Sequence, residues 1–201
     1  MVLLMLACGG RKHDVAYYQQ KIDSIRKAEQ VAELQKNAGI INDPVEAWFD
    51  TLRMRSLPLQ TAGANVERLG PFASVPMQAN EHFGFPVSAH LKALALPRAW
   101  KRPVILLCEM QDSITPALYL YTMDSRHQPI DLLCIYRQQS EDHKEDFGMA
   151  YNEYFITSKY EITVLRYFQS HEKSRQPFLE EVRRFTITKE GRFDEQPIEV
   201  E

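Results

Sequence analysis

A chain of 201 residues with 44% hydrophobic and 10% aromatic content carries enough apolar material for one domain with a sizeable core, which excludes global disorder. Its 24 Lys and Arg against 27 Asp and Glu leave a formal net charge of -3, so no nucleic-acid partner is expected, because such a partner calls for a clustered basic surface. No apolar run approaches the roughly 18 residues of a membrane-spanning helix, and only eight glycines are present to build a phosphate-cradling loop.

At the amino terminus, Leu3-Leu4-Met5-Leu6-Ala7-Cys8-Gly9-Gly10 ends an apolar run in a small residue and a cysteine, with polar Arg11, Lys12, His13 and Asp14 beyond. This stretch resembles the lipobox of bacterial lipoproteins, in which a signal peptidase cuts before a cysteine whose thiol receives diacylglycerol. The resemblance places Ala7 before the cut and assigns lipid attachment to Cys8, while Leu6 is larger than the usual occupant of its position. It implies a mature chain starting at Cys8 and a lipid anchor in a bacterial membrane that never spans it. The implied address is the cell envelope, on the periplasmic or the surface side of the outer membrane; a cytoplasmic chain with a greasy N-terminus is the alternative. An export signal needs a positive segment and an apolar run of about 7 to 15 residues, so this reading also expects a start upstream of Met1 or a truncated chain. In architecture the chain is similar to small exported bacterial lipoproteins of unknown function, a likeness that brings no activity with it.

Beyond a tether at residues 1–12, residues 13–56 read as helical. Asp14 is an N-cap for a helix reaching about Asn37, with Val15, Tyr18, Ile22 and Ile25 spaced three and four apart and Gly39 as terminator. The heptad-like seam lapses at Glu29 and Ala32, which argues against a coiled coil. Asn42-Asp43-Pro44 followed by Glu46 starts a second helix whose Val45, Trp48, Phe49 and Leu52 share a face, so Trp48 is expected in the core. Prolines at 58, 71, 76, 86, 97 and 103 make residues 57–103 an irregular wrap, with one short helix expected over 88–94. Its Phe72, Val75, Met77, Phe83, Phe85 and Leu91 are too apolar for a free linker, so it should cover one face of a sheet.

Residues 104–188 organise the chain. The continuous run Val104-Ile105-Leu106-Leu107-Cys108 suits a central strand covered on both faces. In the next strand, Leu118, Leu120 and Thr122 alternate with Tyr119, Tyr121 and Met123. Simple alternation then puts Ile130, Leu132, Cys134 and Tyr136 on one side and Leu133 and Ile135 on the other. Residues 138–148 read as a charged loop, Thr157-Ser158-Lys159 as a tight hairpin between two strands, and 179–188 as a last, charged edge strand. Tyr121-Thr122-Met123-Asp124 with Ile130-Asp131 echoes Phe185-Thr186-Ile187-Thr188 with Phe193-Asp194, a repeated hairpin grammar.

The expected fold is α+β: N-terminal helices and a proline-rich wrap packed on one antiparallel meander sheet of five to seven strands, with a β-barrel or half-barrel as the alternative. Residues 57–201, wrap and sheet, form one globular domain with the helices.

No catalytic, cofactor or metal motif stands out. Cys108 and Cys134 fall on strands with another between them, so two free thiols are expected in place of a disulfide. His82, His90 and His143 lack zinc-like spacing, and the acidic run from Glu141 to Asp146 lacks the alternation and central glycine of a calcium loop. No metal or cofactor is therefore expected. Glu109, Asp131, Glu153 and Glu161 lie on expected strands and would be the raw material of a glycosidase-like hydrolase. The most distinctive resource is tyrosine: Tyr119, Tyr121 and Tyr136 are the candidate binding face for a protein, peptide or glycan, with cross-strand packing as the plainer alternative. A non-catalytic, membrane-anchored binding or interaction module is the favoured function, with an envelope hydrolase as the alternative.

Overall fold

A computed structural model describes Arg26 and residues 44–61, 65–110, 115–143, 146–172 and 175–198. The chain divides into two compact units, Met1–Asp43 and Pro44–Glu201. Of the expected helix from Asp14 only Arg26 is described, and it is helical; the lipobox-like stretch with Cys8 lies outside the described residues.

The second unit is built mostly from antiparallel strands arranged in two sheets. The first sheet is a five-stranded meander in the order β2 (Ala73–Ser74), β3 (Leu91–Ala99), β4 (Arg102–Met110), β5 (Pro116–Met123) and β6 (Pro129–Tyr136). The second has β1 (Leu59–Gln60), β8 (Asp146–Ile156), β9 (Ile162–Ser170), β10 (Phe178–Ile187) and β11 (Phe193–Gln196) in that order, and β7 (Gln138–His143) also pairs with β8. One meander sheet of five to seven strands is thus corrected to two sheets, and they do not close into a barrel.

The split has a local cause. Tyr119 pairs with Cys134 but Leu118 with Tyr136, so Ile135 is the extra residue of a bulge at the end of β6. One residue later, the Arg137 carbonyl accepts the Asn152 N–H at 3.1 Å, and the chain continues as β7 alongside β8. The Asp131 carboxylate at the start of β6 accepts the Phe193 N–H at 2.9 Å. β6 therefore runs across the second sheet from its last strand towards β8, as strands do at the corners of orthogonally packed sheets. The bulge also overturns simple alternation, because Ile135 and Tyr136 both face the space between the sheets.

That space holds the main core: Leu94, Leu96, Leu106, Leu118 and Leu120 from the first sheet meet Tyr154, Ile156, Ile162, Val164 and Phe185 from the second. The opposite face of the first sheet carries Ala93, Ile105, Leu107, Tyr121 and Met123. Trp48 and Phe49 of α1 (Pro44–Phe49), Ala79 of α2 (Met77–Asn80) and Phe83 pack on it. Asn80 organises this cover, since its buried amide donates to the carbonyls of Val87 at 2.9 Å and Ala89 at 2.8 Å.

Residues 179–188, expected as a last edge strand, instead form β10, paired with β9 on one side and β11 on the other, and two further segments differ from expectation. Residues 91–99, partly expected as helix, form β3, because pairing with β4 on one side and with β2 and Met54 on the other outweighs the helical bias of Leu and Ala. Residues 138–143, expected as loop, form β7, whose backbone pairs with β8 whatever the polarity of its side chains.

Three of the hairpins share one turn. At 157–161 the Thr157 N–H donates to the Glu161 carbonyl and the Tyr160 N–H to the Thr157 carbonyl; the same two bonds recur at 124–128 and 188–192. Each turn places one residue at positive φ, namely Tyr160, His127 and Gly191. The opening side chain caps each turn: Asp124 Oδ1 accepts two backbone N–H groups at 2.8 Å, and Thr157 and Thr188 use their hydroxyls. The echo between residues 121–131 and 185–194 is this shared turn.

Candidate functional site

The structure does not bring Tyr119, Tyr121 and Tyr136 together on one open surface. Tyr121 is 2% exposed beneath α1 and the 81–83 turn, with its hydroxyl donating to the Phe83 carbonyl at 2.7 Å. Tyr119 lies on the same side, against Phe85, and donates to Glu109 at 3.1 Å. Tyr136 is 3% exposed on the other face of the sheet, between the two sheets.

The tyrosines that reach solvent in register are Tyr151 and Tyr167. They are direct cross-strand partners on β8 and β9, with rings stacked at 5.6 Å and 18°. The alternation that turns Ala150, Tyr154, Ile162 and Val164 inward turns Phe147, Met149, Tyr151, Glu153 and Phe155 outward on β8. The register then aligns Leu165 and Tyr167 of β9 with Val182 and Leu179 of β10 on that outer face. Phe147, which stacks on His171 at 4.9 Å, is 54% exposed; Leu179 is 48% and Phe155 44% exposed. The result is an apolar, aromatic stripe across three strands, edged by Gln138, Glu153, Thr163, Gln169 and Arg184. The Tyr151 phenol is held above its ordinary range, first by desolvation and then by Glu153 and Tyr167, so it presents a neutral hydroxyl.

A second feature is concave. A cleft of about 850 Å³ opens beside the sandwich, lined by the 65–72 segment, Lys92 of β3, and Cys108 and Met110 of β4. Its wall needs Gly70, whose φ of 138° and ψ of -177° suit only glycine. Cys108 is 1% exposed, with its sulfur 4.0 Å from the Met110 sulfur, and burial pushes its thiol up to about 11.

The carboxylates that a hydrolase would need are dispersed. Glu109 accepts from Tyr119, Asp131 accepts the Leu132 and Phe193 N–H groups, Glu153 lies on the outer face of the second sheet, and Glu161 sits at a hairpin turn bonded by Thr157. None of the four lines the cleft, where Glu67 is the acidic residue. His82 bonds the His127 carbonyl at 2.7 Å, and His90 is exposed. Cys108 and Cys134 are free, on strands separated by β5.

Sequence reasoning singled out Tyr119, Tyr121 and Tyr136 and not the outward pair Tyr151 and Tyr167, since which rings face out depends on sheet membership and, for Tyr136, on the bulge at Ile135. Compared with protein-family models, with curated proteins and with solved structures, the chain gives no match in any of the three.

Proposed function

We propose that this chain is a non-catalytic binding module of the bacterial cell envelope, tethered by lipid at Cys8, and that it docks a partner protein on the outer face of its second sheet. The observation that carries the reading is the Tyr151–Tyr167 pair at the centre of a stripe in which Phe147, Phe155 and Leu179 are exposed and Met149 and Leu165 half-exposed. Aromatic and Met side chains at the centre with polar groups and an Arg at the edge match the anatomy of a protein–protein interface. A solvated sheet face normally alternates to polar residues, and contiguous apolar exposure marks an interaction site. The glycosidase alternative is less well supported, because paired carboxylates need to flank one cleft and here each candidate is committed to a different place.

The test is affinity capture from envelope extract with wild type and a Tyr151→Ala/Tyr167→Ala variant, followed by hydrogen exchange on the purified complex. A partner lost with the variant and protection over residues 147–155 and 163–169 support the reading. Protection elsewhere, or binding on a glycan array without a protein partner, overturns it. For the tether, the protein expressed in a bacterial host that processes lipoproteins should incorporate labelled fatty acid, and labelling that survives Cys8→Ser removes the anchor.

A further inference from the structure

The cleft beside the sandwich is separate from the tyrosine face, and its chemistry points to a ligand of its own. Its volume of about 850 Å³ lies within the range of small-molecule pockets, about 300 to 1,000 Å³. Val66, Phe72 and Met110 are half-buried and continue the inter-sheet core outward, so apolar surface runs from the core to the mouth without interruption. The two sulfurs at the floor add polarizable, adaptable contacts.

Lys92 gives this apolar surface a direction. It is the direct cross-strand partner of Cys108, so both side chains leave the sheet on the same face. Cys108, being short, is buried; Lys92 lines the same cleft and is exposed, so its ammonium stays in water. Glu67 is the other charge in the lining, and among the described residues neither it nor Lys92 has an ion-pair partner. The two differ in reach. The Lys92 charge acts on the Cys108 thiol at the floor, and the acidic residue acting on that thiol is Glu109, which bonds Tyr119 on the far side of the sheet. Because burial keeps the Cys108 thiol protonated at neutral pH, the floor adds no negative charge of its own.

We propose that this cleft binds a single-chain anionic amphiphile, its hydrocarbon against Val66, Phe72 and Met110 and its carboxylate or phosphate on the Lys92 ammonium. An apolar body with one charged anchor at the rim is the complement of what the walls present, and an ammonium is a good point-charge partner for either head group. The two head groups correspond to different sources, a free fatty acid and a lysophospholipid-like phosphate monoester.

The proposal stands on the cleft alone and is tested on the full chain by displacement of the neutral fluorescent probe N-phenyl-1-naphthylamine. The competitors are dodecanoate, dodecyl phosphate, dodecanol and dodecylammonium, all below micellar concentrations. Probe uptake should be lost in Met110→Trp, which fills the cleft, with the thermal transition of that variant checked first. In wild type, dodecanoate or dodecyl phosphate should displace the probe at no more than about one-tenth the concentration that dodecylammonium requires, a difference of about 1.4 kcal/mol. Whichever of the two is stronger identifies the source. Lys92→Glu, an exposed substitution that leaves the core intact, should invert the order of anion and cation. Equal displacement by dodecanol, dodecylammonium and dodecanoate overturns the anionic class and leaves an apolar cleft. An order unchanged by Lys92→Glu overturns the role of Lys92, and probe uptake that Met110→Trp does not affect overturns the cleft as the binding site.

Discussion

Among the described residues the first sheet is covered on both faces and the second on one, and the two record that difference in their strands. In β4, Val104 through Cys108 are each at most 2% exposed, with alternate residues entering the inter-sheet core and the helix-side core. In β9, buried Ile162 and Val164 alternate with half-exposed Thr163 and Leu165. A strand covered twice reads as a continuous apolar run, and one covered once reads as an alternation. The exception is informative: Phe147, Tyr151, Leu165, Tyr167 and Leu179 are apolar or aromatic on the face that has no cover among the described residues.

The largest expected effect tests that contrast directly. Leu106→Ala and Leu107→Ala remove fully buried side chains on the two faces of β4 and should each cost about 2 to 5 kcal/mol in urea unfolding. Leu165→Ala and Leu179→Ala on the outer face should each cost under about 1 kcal/mol. If the outer pair costs as much as the inner pair, the stripe is already covered in solution, and a concentration-dependent transition would identify a second copy as the cover.

Gly148 probes the covered side of the second sheet. A Cβ there would stand 2.4 Å from the Gln169 carbonyl oxygen and 2.5 Å from the ring of Phe168, which is fully buried. The backbone oxygen cannot yield, so Gly148→Ala should cost about 1 to 3 kcal/mol, measured in the same way. A neutral result would mean that Phe168 does not lie over β8 as described.

Alkaline pH separates the two kinds of tyrosine next. Burial first, and then Glu109, push Tyr121 up to about 12; burial also dominates the upward shifts of Tyr119, Tyr154 and Tyr160. An unfolded tyrosine ionises near pH 10. Above that, the unfolded chain releases protons that the folded chain keeps, so this contribution is complete below about pH 10 and is lost as pH rises towards 12. Urea midpoints should fall across that window. Phenolate absorbance from Tyr121 appearing near pH 10 in folded protein would show that its cover is open.

Much of the first sheet was legible, because β4 and β5 pack on residues whose period declares both faces. The free thiols followed from the same strand order, and the turn at 157–161 from its local chemistry. The change of sheet was not legible, because it hangs on one bulged residue, Ile135, and on a polar strand, β7, held by its backbone ladder. Trp100 and Lys101 make a two-residue turn with φ of 49° and 71° and neither Gly nor Asn. That turn is supported from afar by the Trp100 indole donating to the Ile187 carbonyl at 2.7 Å. The cleft was equally hidden: residues 65–72 carry no periodic signal, and only the fold brings them to Lys92 and Cys108.

The smallest effect concerns a group that the covered region leaves unmet. Tyr154 is 3% exposed in the inter-sheet core, and its hydroxyl has no hydrogen-bond partner among the described residues. A buried hydroxyl stripped of water and left unpaired costs about 1 to 3 kcal/mol, whereas its ring contributes by burial. Tyr154→Phe keeps the ring and removes the orphan, so it should leave stability unchanged or raise it by about 1 kcal/mol, with the slope of the urea transition unaltered. Tyr160→Phe is the matched control, since that hydroxyl donates to the Pro97 carbonyl and its loss should cost about 0.5 to 1.5 kcal/mol. A loss at Tyr154 as large as at Tyr160 would mean that its hydroxyl bonds an internal water, and that the core between the sheets is wetter than its apolar side chains suggest.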